Sequence, residues 1–63
     1  MMTIDKMKHY LPVYIYEYWT NCTDIAIMIK AKEQLQGEMS QGLLSGYRYE
    51  TELQLLQYLT NQN

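Results

Sequence analysis

A chain of 63 residues with a single cysteine, Cys22, has to hold itself together without an internal disulfide. Chains below about 70–80 residues rarely draw more than roughly 3–5 kcal/mol from their own core, and supplement it with disulfides, a metal, self-association or very regular helix packing. A structural zinc site wants four good ligands, and Cys22 and His9 are the only soft ones in the sequence. Regular helix packing and association with other chains remain, and residues 1–63 are read as one small domain. The apolar material suffices for either, at 48% hydrophobic residues with a net charge of −2, a balance typical of folded chains.

The spacing of apolar residues predicts an all-α fold. Ile4, Met7, Leu11, Tyr14 and Tyr18 recur at alternating steps of three and four, with Thr3 as N-cap and Asp5 in the first turn. Pro12 interrupts this pattern, because a proline inside a helix removes a backbone hydrogen bond and clashes with the preceding turn; a kink or a restart at Pro12 accommodates it. A second stripe, Met28, Ala31, Leu35 and Met39, keeps Lys30, Lys32 and Glu33 to one side. Asn21 or Thr23 is the expected cap of that helix, and Asn21 with Asp24 resembles a capping box. Gly37 either ends it or lets it run on weakly to about Leu44, and a turn is expected within 37–46.

The third segment carries Thr51 and Gln54 in capping-box spacing, although the helix can begin earlier, near Ser45. Leu53, Leu56 and Leu59 form its apolar face, widened by Leu55 and Tyr58, and Thr60–Asn63 is expected to fray. The expectation is a small bundle of two to three helices (about 4–19, 24–40 and 48–60) that forms homo-oligomers. The alternative is an α+β fold with an N-terminal β-hairpin over 13–30. In that reading Val13, Ile15 and Trp19 alternate with Tyr14, Tyr16 and Tyr18, and Ile25, Ile27 and Ile29 form the second strand.

The inventory of chemical groups is thin. His9 has no partner ligands in sequence and reads as a surface residue, Cys22 reads as a small, partly buried hydrophobe, and Glu33 and Glu38 read as solvated charges. No glycine-rich phosphate loop is present; Gly42 and Gly46 mark flexible backbone. The chain is therefore expected not to be an enzyme, and to use no metal, cofactor or small-molecule substrate. Five basic residues, Lys6, Lys8, Lys30, Lys32 and Arg48, are scattered on a chain of pI 5.1, which argues against nucleic acid as partner. The first eight residues lack the apolar core of a signal peptide, no stretch suits a membrane span, and a lone cysteine fits the reducing cytoplasm.

What stands out is aromatic. Seven tyrosines and one tryptophan occur with no phenylalanine, and Tyr10, Tyr14, Tyr16, Tyr18 and Trp19 crowd into one segment. Tyrosine pairs an apolar body with a hydroxyl that wants water or a partner, so it suits interfaces, where Tyr and Trp are enriched among energetic anchors. These five are the candidate partner-binding residues, with Leu53, Leu56 and Leu59 as the core that supports them. The competing reading makes the same rings the core. The expected function is that of a small cytoplasmic regulator or adaptor acting by protein–protein binding, of the size common among bacterial and phage accessory proteins that modulate a larger protein. The alternatives are a helical DNA-binding transcriptional regulator using Lys30, Lys32 and Arg48, and a structural subunit of a homo-oligomer.

Overall fold

Pro12 divides the first segment in two. The computed structural model describes residues 2–62, and these form four helices: α1 (Ile4–Tyr10), α2 (Val13–Asn21), α3 (Ile25–Ser40) and α4 (Tyr47–Asn61). No strand occurs among the described residues, so the N-terminal hairpin over 13–30 is not formed. The fold is all-α as expected, with four helices in place of two or three. Met1 and Asn63, the outer residues of the single-domain and fraying expectations, lie outside the described residues; α4 stays helical through Asn61.

The break follows from local sterics. A residue before proline is pushed out of the α region, and Leu11 sits at φ −118°, ψ 146°. Pro12 itself, at φ −55°, caps the next helix: its carbonyl accepts from the Ile15 and Tyr16 N–H groups at 3.0 and 3.1 Å. Leu11 is buried at the corner. The interruption also resets the helical phase. The stripe Ile4, Met7, Leu11 points inward as the spacing predicts, but α2 turns Ile15, Tyr16 and Trp19 toward the core and Tyr14 and Tyr18 toward solvent.

The remaining boundaries have side-chain or glycine causes. Asp24 caps α3, its Oδ1 accepting from the Ala26 and Ile27 N–H groups at 3.0 and 3.3 Å. Asn21 and Thr23, the expected caps, are respectively the last residue of α2 and a connector residue. α3 passes through Gly37 and ends in a Schellman turn: Gly42, at φ 76°, donates to the Met39 carbonyl at 3.1 Å and Leu43 donates to that of Glu38 at 2.9 Å. Gly46, at φ 106°, then begins α4 in a conformation that L residues adopt only under strain.

That early start overturns the capping role assigned to Thr51. Thr51 lies in the second turn of α4, fully buried, with no hydrogen-bond partner for its Oγ1. Spacing alone cannot distinguish a capping threonine from an interior one.

α4 is the hub of the fold. It packs against all three other helices, most extensively against α3, and Leu55 and Leu56 are buried completely. Around them lie Met7, Leu11, Trp19, Met28 and Leu35, while Leu53 and Leu59 pack at the margin of this core. The Met28, Ala31, Leu35, Met39 stripe faces α4, with Met28 and Leu35 buried and the other two partly so. The Gln54 side-chain oxygen accepts from the Met2 N–H at 3.2 Å, tying the start of the chain to the hub. The radius of gyration, 11.0 Å, is near the roughly 11 Å of a compact domain this long. The accessible surface, 4411 Å², is close to the approximately 4,300 Å² of a folded monomer of 7.6 kDa. A single chain thus closes its own core.

Removing the orphaned hydroxyl while keeping the branched shape should help. Thr51→Val is expected to stabilise the fold by about 1 kcal/mol, raising the melting midpoint by roughly 4–8 °C in a domain of this size. A circular-dichroism melt with an unchanged or lower midpoint contradicts the assignment of Thr51 Oγ1 as unsatisfied.

Candidate functional site

Because α2 restarts at Pro12, residues spaced by three and four from Tyr14 share its outward face. Tyr14, Glu17, Tyr18 and Asn21 form one row, and with Cys22 they line an open groove of about 440 Å³. Tyr14 is 70% exposed and Tyr18 59%, unusual for large aromatic side chains. Val13, 68% exposed, extends the row toward the start of the helix. On its other side Glu17 joins Lys8, His9, Val13 and Tyr16 in a second concavity. The Glu17 carboxylate nevertheless has no hydrogen-bond or ion-pair partner among the described residues.

The five expected contact residues do not form one surface. Tyr14 and Tyr18 stand together. Tyr10 is exposed at the end of α1, where its ring meets Tyr47 of α4 with centroids 6.3 Å apart. Tyr16 is half-buried and packs against the core. Trp19 belongs to the core itself, at 8% exposure. Trp19→Ala would therefore cost about 3–5 kcal/mol of folding stability, and cannot serve as a selective probe of binding.

Burial of Trp19 needs an acceptor for its indole N–H, and α4 supplies one. Trp19 Nε1 donates to Glu52 Oε2 at 2.9 Å, while Glu52 Oε1 accepts from Arg48 at 2.8 Å one helical turn away. The Arg48 guanidinium also lies over the Tyr49 ring, 4.4 Å from its centroid. The indole in turn meets the Tyr18 ring edge-on at 4.9 Å and 82°. A chain of contacts thus runs from Arg48 through Glu52 and Trp19 to the exposed Tyr18, and holds one wall of the groove in place.

Glu17, Val13 and Tyr47 are surface residues outside the five expected contacts. The helical wheel separates 14, 17, 18 and 21 from 15, 16 and 19, and the restart at Pro12 sets which of the two faces turns inward. Cys22 is half-exposed at the groove's end, its thiol donating weakly to the Asp24 carbonyl at 3.7 Å. His9 is exposed, and no three His, Cys, Asp or Glu residues converge on a possible metal position among the described residues. No helix among them is long and apolar enough to cross a membrane. Comparison with protein-family models, curated protein sequences and solved structures finds no match to this chain.

The Trp19–Glu52 bond has a spectroscopic handle. Glu52→Ala leaves a buried N–H unpaired and is expected to destabilise the fold by about 1–3 kcal/mol and to move tryptophan emission to longer wavelength. Glu52→Gln keeps an acceptor oxygen and should stay near the wild-type emission. Equal spectra for Glu52→Ala and the parent chain would show that this bond does not fix the indole.

Proposed function

We propose that this chain works by binding another protein through the outward face of α2, as a small regulator or adaptor in the cytoplasm. The observation that carries the reading is the exposure of Tyr14 and Tyr18 side by side on a helix whose opposite face is packed into the core. Two large rings held in water have apolar area to bury and hydroxyls to pair, the combination favoured in interface anchors. Their support is rigid, since Tyr18 rests on Trp19 and Trp19 is pinned by Glu52. Pre-organised side chains lose less entropy when a partner docks.

Two other readings have less behind them. A DNA-binding role through Lys30, Lys32 and Arg48 has to draw on an arginine already committed to Glu52 and Tyr49. A purely structural homo-oligomer remains open to a direct measurement of mass in solution, and the monomer-like surface area gives it no special support.

The test is a double variant, Tyr14→Ala with Tyr18→Ala. Tyr14 is free of ring contacts among the described residues and should change folding stability by no more than about 0.5 kcal/mol, and loss of the Tyr18–Trp19 ring contact should cost about 0.5–1.5 kcal/mol. Affinity for a partner co-purified with the native chain, measured by calorimetric titration, is expected to fall at least about tenfold, as expected for losing two anchor side chains. Unchanged affinity refutes the reading. A concentration-dependent dimer in sedimentation that the double variant abolishes would make the partner a second copy.

A further inference from the structure

A tyrosine and a glutamate stand three residues apart on a helix three times in the fold, as Tyr14–Glu17, Tyr47–Glu50 and Tyr49–Glu52, and among the described residues only the last pair holds a guanidinium. In α4, Tyr49 and Glu52 stand three residues apart, and between them sits a guanidinium: Arg48 lies over the Tyr49 ring at 4.4 Å and donates to Glu52 at 2.8 Å. In α2, Tyr14 and Glu17 stand at the same spacing, with Tyr18 adding a second ring. The position before the tyrosine, arginine in α4, is Val13 in α2. No basic residue occurs anywhere in α2, and the Glu17 carboxylate is unpaired among the described residues.

We infer that the Tyr14–Glu17–Tyr18 groove receives an arginine side chain from the protein partner. This inference rests on the interface reading above and names the chemistry of what docks. A guanidinium is planar, so it can lie against a tyrosine face while its N–H fork donates to a carboxylate, and it gives up hydration more readily than an ammonium. Tyr14 and Tyr18 supply the faces, Glu17 the countercharge, and Asn21 at the groove's end a further acceptor. The groove, about 440 Å³ and open to solvent, suits a side chain reaching in from a facing surface. Lys8 and His9 lie on the other side of Glu17 and make no ion pair with it, so the carboxylate stays available.

The experiment is a nuclear magnetic resonance titration of the full chain with three capped peptides, Gly-Ala-X-Ala-Gly, in which X is Arg, Lys or Gln. The arginine peptide should shift the amides of Tyr14, Glu17, Tyr18 and Asn21 saturably, more strongly than the lysine peptide, while the glutamine peptide leaves them in place. Glu17→Gln and Tyr14→Ala/Tyr18→Ala should each weaken the arginine peptide by about two- to fivefold, the scale of an exposed cation–π contact. Shifts spread over other acidic residues such as Asp5, Glu33 and Glu50, or equal binding of the glutamine peptide, overturn the inference. So do shifts at the same four residues that depend on protein concentration without any peptide, which would place a second copy there.

A library of random peptides separates this inference from the reading beneath it. Selected peptides that lose binding in Tyr14→Ala/Tyr18→Ala yet carry no arginine and ignore Glu17→Gln overturn the arginine and leave the interface standing. Selected peptides that seat elsewhere and ignore the tyrosine substitutions remove both.

Discussion

The clash between a proline ring and the residue before it shapes the whole N-terminal half of this protein. Leu11 is driven into an extended conformation, α1 stops after two turns, and α2 begins afresh with its own phase. A continuous helix would have carried Tyr14 and Tyr18 beneath Met7 and Leu11, into the core. The restart brings Ile15, Tyr16 and Trp19 to that position and leaves the two tyrosines in water. One steric restriction thus decides which aromatic residues build the core and which are free to meet a partner.

The second organising contact crosses from α2 to α4. Tryptophan is too large to waste in so small a core, yet its N–H must be paired when buried. Glu52 meets that demand, and Arg48 offsets the charge that Glu52 brings to a half-buried position. Pairing at the margin keeps the network close to solvent, which lowers the desolvation cost that makes fully buried ion pairs poor stabilisers. The arrangement also couples core and surface, since Trp19 is at once the inner residue of this network and the platform beneath Tyr18.

Much of the fold was legible because periodicity is a direct image of burial. The Met28, Ala31, Leu35, Met39 stripe and the leucines of the last helix mark their inward faces, whereas over 13–30 the residues fit a strand alternation as well as a helix. Boundaries were harder because several residues offer the same chemistry. Asn21, Thr23 and Asp24 can each accept a hydrogen bond from a helix start, and only the path of the backbone selects Asp24. Thr51 matched a capping pattern that its burial contradicts. For the surface, spacing already divides the aromatic cluster, with Tyr10, Tyr14 and Tyr18 on one ridge and Tyr16 and Trp19 on a different face. Which of the two faces turns inward depends on the angle through which Pro12 rotates α2, a quantity no spacing rule carries across a break. Trp19, an expected contact, therefore turns into the core, and Glu17, which breaks the alternation of the strand reading, stands on the outward face.

The hub position of α4 has a temporal side. Chains emerge from synthesis N-terminus first, so α1, α2 and α3 leave the ribosome before the helix that covers them. α4 packs more extensively with each of them than they do with one another. Until Thr51–Leu56 have been added, Met7, Trp19, Met28 and Leu35 lack Leu55 and Leu56, the fully buried leucines of their shared core. Within these residues, α1, α2 and α3 therefore carry their apolar faces uncovered until α4 follows them, and closure of the core waits on that one helix.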